Sequence, residues 1–151
     1  MATIKNFTWD YLSDLVGDDF RAAIGRSRRE INITVAADTT IPMGLLVFKA
    51  EDNDFDAPYA PVTDPTTQIV DTNLFGVVFG DGVMERLEFT SDESGTTKAQ
   101  AFVGGEIVLQ DRLILKVNGI ERDSAEHKAL AAILEQNQNI YLYKTLERVF
   151  P

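Results

Sequence analysis

Apolar residues recur at two different periods along this chain. In the first thirty residues Trp9, Leu12, Val16, Phe20 and Ile24 are spaced by three or four, which sets them on one stripe of a helix. Thr8 is placed to cap that helix and Gly25 to end it; Gly17 inside it costs roughly 1 kcal/mol relative to alanine and predicts a break into two shorter pieces. From Ile31 the period falls to two. Ile31, Ile33 and Val35 alternate with Asn32 and Thr34, predicting a half-buried strand. Residues 45–48 (LLVF), introduced by Pro42 and Gly44, predict a more fully buried one. Residues 69–70 and 74–79 follow, and the glycine inside the run LFGVVFG marks a bulge or a close backbone approach. Residues 83–89 are placed to pair with that run across Gly80-Asp81-Gly82. Residues 99–103 and 106–109 flank Gly104-Gly105 as a tight hairpin, and residues 113–117 add a strand closed by Asn118-Gly119.

The period then returns to that of a helix. Asp123 with Glu126 three residues on makes an aspartate form of the capping box, and Ala129, Leu130, Ile133 and Leu134 supply the apolar stripe. The polar stretch from Gln136 to Asn139 ends it, and Ile140 and Leu142 alternate with Tyr141 and Tyr143 in a last strand. The expected fold is mainly β with helical additions (α+β): a small β-barrel or sandwich core, an N-terminal helical segment and one helix in the C-terminal half. Residues 1–30 read as a helical arm or interaction segment, and residues 31–151 as the β-rich domain.

Composition narrows the chemistry. With 151 residues and 44% hydrophobic content the chain supports one sizeable core. A net charge of −10 makes nucleic acid and anionic membranes poor partners. The absence of cysteine excludes disulfides, thiolate metal sites and cysteine nucleophiles. Charged and polar residues at Lys5, Asn6, Asp10 and Asp14 interrupt any secretion-type core, and no run approaches the roughly 18 apolar residues of a membrane span, so a soluble protein is expected.

Candidate motifs mostly fail on their own terms. The acidic, proline-bearing segment 51–71 reads as an extended surface excursion, and its Asp52-Asn53-Asp54 with Asp56 opens like a calcium loop. Counted from Asp52, the sixth position is Ala57 rather than glycine and the twelfth is Thr63 rather than glutamate. Gly80-Asp81-Gly82 lacks the third glycine of a dinucleotide fingerprint. The single histidine, His127, is expected to be an exposed helical residue, since a HExxH pair is absent. No metal, cofactor or enzymatic activity is predicted. The residues singled out for contact are Phe7, Trp9, Tyr11, Leu12 and Phe20, which read either as a docking face or as packing on the protein's own sheet. Arg26, Arg28 and Arg29 read either as a basic patch facing an acidic partner or as a solvated turn complementing a helix end. A further alternative is a surface glycan-binding module, with Tyr59, Tyr141 and Tyr143 as stacking rings.

The segments IPMGLLVFKA, APYAPVTD, LFGVVFG, KAQAFVGGEIVLQDRLIL and HKALAAILEQNQNIYLY, between Thr39 and Leu142, resemble the lambda-type head decoration proteins of tailed bacteriophages over about two thirds of the chain. In that family a glycine precedes an apolar strand, a loop leads to a glycine-valine strand, and a small hairpin precedes a short helix and a closing segment. The helical N-terminal pattern departs from the extended arm common in the family. The resemblance implies a virion structural protein made in the host cytoplasm, forming homotrimers on the outer capsid surface and bridging the major capsid protein lattice. Another virion component, in the head-completion apparatus or the tail, would share the same composition.

Overall fold

The computed structural model describes residues 16–19, 28–52, 54–80 and 88–144, and the fold is given for these. Ten strands and three helices follow in the order β1 (Val16–Asp19), β2 (Arg28–Thr34), β3 (Thr40–Pro42), β4 (Leu46–Ala50), β5 (Ala60–Pro61), α1 (Pro65–Gln68), β6 (Asn73–Gly80), β7 (Glu88–Thr90), β8 (Thr96–Phe102), β9 (Ile107–Gln110), α2 (Asp111–Asn118), α3 (Ala125–Gln138) and β10 (Ile140–Tyr143). The protein is mainly β, as its alternating segments predict. Its centre is a five-stranded antiparallel sheet in the order β2-β8-β6-β4-β5. A three-stranded sheet β1-β9-β10 and the pair β3-β7 complete the strand pairing.

At β6 both faces of the central sheet are buried, which explains why that strand reads as an unbroken apolar run, whereas β2 and β8 alternate buried with more exposed residues. Leu46, Phe75, Val77 and Phe102 face one core, shared with Leu113, Ile114, Leu130, Leu134 and the inward residues of β9 and β10. Val47, Val78, Ile31, Ile33, Ala99 and Ala101 face a second core closed by Ile41, Tyr59 and Phe89. Two-sided burial removes the polar alternation of a half-solvated strand. The sheet curls around this second core until its ends approach. Tyr59 bridges to Ile33, its N–H donating to Asn32 O at 2.8 Å and its carbonyl accepting from Thr34 N at 2.8 Å. The strand ladder does not close into a barrel; the ends are joined by this one bridge among the described residues.

Small residues permit the curl. A Cβ added at Gly76 would lie 3.2 Å from Val47 Cγ2 and 3.6 Å from Ala101 Cβ. Gly76→Val is therefore expected to cost about 1–3 kcal/mol through overpacking, read as a lower midpoint of chemical denaturation.

Several sequence expectations are corrected. Residues 16–19, on the predicted N-terminal helical stripe, form a strand paired antiparallel with β9, and Gly17 supplies a bulge where the register shifts between Val16 and Asp18. The remainder of the predicted N-terminal helix lies outside the described residues. Residues 113–117 are helical: α2 has Asp111 in its first turn, Lys116 in its last and Gly119 in the left-handed conformation at its end (φ 64°), three terminus signals that outweigh the apolar run. Residues 99–103 and 106–109 do not make a hairpin with each other. β8 belongs to the central sheet and β9 to the other, while Gly104 is needed because a Cβ there would meet Gln138 O at 3.0 Å. Of the predicted 83–89 strand, residues 88–89 fall in β7, which pairs with β3, while residues 83–87 and the Asp81-Gly82 part of the predicted turn lie outside the described residues. The segment 69–70 is not a strand but a connection into the turn at 71–72, and Pro65–Gln68 gives the acidic excursion one helical turn.

The C-terminal helix is one residue out of phase with the predicted cap. Ser124 is the N-cap and accepts from His127 N at 3.2 Å, whereas Asp123 precedes it at φ 62°. Since β9 and β10 are parallel neighbours, α2 and α3 form the crossover between them.

Candidate functional site

At one end of the central sheet the start of β2, the end of β4 and the start of β6 meet the segment after β8 and the last turn of α3. Between them lies an open groove of about 680 Å³. Its cations are Arg28, Arg29 and Lys49, and its aromatic residues are Phe55 and Tyr59.

Strand alternation sends the two arginines to different aromatic partners. Arg28, opposite Phe102 in the β2–β8 register, holds its guanidinium 5.6 Å from the ring centres of both Phe79 and Phe102, which stack on each other at 4.4 Å. Arg29 lies 3.4 Å from the ring centre of Phe55, donates to Phe55 O at 2.8 Å and approaches Asp56 at 3.8 Å. An arginine plane stacks on an aromatic face while its edge keeps N–H donors for other partners. The two arginines therefore begin a strand and rest on aromatic rings; they do not form a solvated turn.

Lys49 shares the inward face of β4 with Val47 and is only 5% exposed. Its ammonium donates to the carbonyls of Asp54 (3.1 Å) and Phe55 (2.8 Å) and lies 4.9 Å from the Tyr59 ring centre. This one side chain thus pins the 51–58 loop to the sheet. Burial lowers the Lys49 pKa from its ordinary value and the nearby Arg29 charge lowers it further, while Asp56 and Asp54 act in the opposite direction. Burial likewise raises the Tyr59 phenol, against a smaller lowering by Arg29.

The floor beside α3 is set by Gln138. Its side-chain carbonyl accepts from Phe75 N at 2.8 Å, and its amide donates to Phe75 O at 2.6 Å and Val103 O at 2.9 Å. Buried backbone groups at the start of β6 are satisfied by a side chain imitating a neighbouring strand.

A second polar cluster stands apart from the groove. Asp111, 2% exposed at the start of α2, accepts two parallel bonds from Arg122 at 2.9 and 2.8 Å. His127 Nε2 lies 3.3 Å from the same carboxylate, and its Nδ1 accepts from Asp123 N at 2.9 Å. The predicted exposed histidine is in fact 12% exposed and clamps the α2–α3 turn.

Of the residues predicted for contact, Arg28 and Arg29 line the groove, while Phe7, Trp9, Tyr11, Leu12, Phe20 and Arg26 lie outside the described residues. The predicted stacking rings separate: Tyr59 is buried at 4% exposure, and Tyr141 and Tyr143 stand exposed on β10. Sequence reasoning missed Lys49, which follows the predicted 45–48 strand, and Phe55, which sits with Tyr59 in the acidic 51–71 segment. Among the described residues no three acidic or histidine side chains converge as metal ligands, and no helix is long and apolar enough to cross a membrane. No family model, no curated protein and no solved structure matches the chain.

Proposed function

We propose that this chain is a capsid decoration protein that binds the outer surface of an expanded phage head as a homotrimer and stabilises the shell. The reading is carried by the sequence landmarks shared with lambda-type decoration proteins, which fall at structural positions of one packed body. IPMGLLVFKA contributes β3 and β4, LFGVVFG is β6, KAQAFVGGEIVLQDRLIL runs from β8 through β9 into α2, and HKALAAILEQNQNIYLY supplies α3 and β10. Two of the landmark glycines sit where a side chain has little room: Gly44 has φ 91° with a Cβ position 3.0 Å from Leu113 Cγ, and at Gly76 a Cβ would lie 3.2 Å from Val47 Cγ2.

The physical mechanism is differential affinity. A protein that binds the expanded lattice better than its compact precursor shifts the equilibrium toward expansion, and a trimer engaging several capsid subunits gains avidity. A net charge of −10 disfavours association with packaged nucleic acid. The aromatics Phe7, Trp9 and Tyr11, with Leu12, precede β1 in the sequence, so the segment assigned to lattice contact leads into the β1–β9 pair. Phe20, Arg26, Arg28 and Arg29 complete the proposed contact set.

Co-sedimentation with compact and expanded heads of the parent phage tests this. Saturable, high-copy binding to expanded heads alone is expected, and binding to neither form overturns the reading. Trp9→Ala should weaken that binding by about tenfold or more while leaving the melting temperature of the isolated protein unchanged. An equal loss of both would assign Trp9 to the core.

A further inference from the structure

The geometry points to the groove at the end of the central sheet as a binding site for a carboxylate-bearing sugar residue, with Phe55 as the stacking platform and Arg29 and Lys49 as the cations that hold the carboxylate. This inference does not rest on the capsid reading.

Charge supplies the first argument. The chain carries 24 acidic against 14 basic side chains, yet the residues described as lining the groove include three cations and one carboxylate, Glu51. Lys49 is buried, and both acceptors of its ammonium are neutral carbonyls. An ammonium has three N–H donors, and these two bonds occupy two of them. Arg29 meets Asp56 at 3.8 Å, but the Asp56 side chain is 94% exposed, and so exposed a pair is weak and easily exchanged for a better-placed anion. A carboxylate entering beside Lys49 makes charge-assisted bonds in a partly desolvated place, where such bonds are shorter and stronger than neutral ones.

The aromatic platform supplies the second. Phe55 is 72% exposed although one face of its ring is covered by Arg29. The opposite face is open, and the apolar C–H face of a pyranose ring stacks on such a surface. Glu51, Asn137 and Asn139 line the same groove with groups that hydrogen-bond vicinal hydroxyls. Its volume of about 680 Å³ falls within the roughly 300–1,000 Å³ of small-ligand sites.

The alternatives fit less well. A peptide that docks by adding to a strand edge finds the outer edge of β2 at Asn32 and Thr34 already bonded to Tyr59, and one that docks on the arginines makes no use of the Phe55 platform. A polyphosphate chain meets the repulsion of a protein with net charge −10, whereas a single carboxylate meets the local cations.

The test is saturation-transfer NMR and calorimetry on the full chain with glucuronate-terminated and sialate-terminated oligosaccharides, lactose, sodium acetate and a tetra-aspartate peptide. Saturable binding of at least one acidic sugar is expected, with transfer from aromatic protons and a loss of about tenfold or more in Phe55→Ala and in Arg29→Gln. Tyr143→Ala, on the exposed strand β10, should bind as the parent does. Absence of binding by both acidic sugars, or binding unaffected by the two groove substitutions, overturns the proposal. Equal binding of lactose removes the role of the carboxylate, equal binding of acetate removes the sugar, and tighter binding of tetra-aspartate replaces the sugar with an acidic peptide; each of these also overturns it.

Discussion

Phe102→Ala is expected to lower the unfolding free energy by about 3–5 kcal/mol, the range for deleting a fully buried aromatic ring. Phe102 is 0% exposed at the end of β8, stacks on Phe79 at 4.4 Å and carries the Arg28 guanidinium over the pair. Its removal takes away transfer free energy, the ring-ring contact and the ring-cation contact together. The surrounding side chains belong to strands held on both sides, so the cavity collapses only partly. For a chain of this length the change corresponds to a fall of roughly 6–20 °C in melting temperature. Phe55→Ala, on a ring 72% exposed, is the contrasting control and should stay within about 0.5 kcal/mol of the parent. A Phe102→Ala protein melting within a degree of the parent would show that the two-sided core had been misassigned.

The second large effect is expected at the Asp111–Arg122 pair, and its direction is asymmetric. Arg122→Met should cost about 3 kcal/mol, because Asp111, with 3% of its side chain exposed, loses its bidentate partner and keeps the 3.3 Å contact with His127. Asp111→Asn should cost less. The Arg122 side chain is 30% exposed and can turn toward water, so the charge left behind is not trapped. Replacing both, Asp111→Leu with Arg122→Met, should recover part of the stability lost in Arg122→Met, since the pair is then exchanged for apolar packing while His127 gives up its contact with the carboxylate. Chemical denaturation of the three variants reads this order directly. A double variant as unstable as Arg122→Met would mean that the pair acts through geometry, holding the α2–α3 turn, rather than through charge balance.

The elements legible from sequence were those with one unambiguous period. Ile31, Ile33 and Val35 alternate and form the inward side of β2 and the residue after it; Leu130, Ile133 and Leu134 recur at helical spacing and bury one side of α3. Residues 113–115 carry no period, because three adjacent apolar residues satisfy a buried strand and a buried helix alike. There the ends decide, and Asp111, Lys116 and Gly119 point to a helix. The pairing errors have a different origin. Gly104 looks like a turn residue locally, but what requires it is the approach of Gln138, which lies far along the chain and brings no local signal. The basic half of the groove was visible as Arg28 and Arg29, placed together by their neighbouring positions. Lys49 and Phe55 join them only once β4 is paired and its ammonium has drawn the 51–58 loop back.

The burial of β6 on both sides sets a hazard for the chain when it is not folded. Leu74-Phe75-Gly76-Val77-Val78-Phe79 contains no charge and no proline. The uninterrupted apolarity that lets it serve two cores also suits stacking on identical copies of itself in a cross-β array. In the native sheet β4 and β8 occupy both of its hydrogen-bonding edges, and Gln138 takes the remaining groups at Phe75. Protection of this segment is thus a property of the completed fold. A newly made or heat-opened chain exposes it before α3 has delivered Gln138, so refolding yield should fall with protein concentration, and charged gatekeepers at its flanks are the natural remedy.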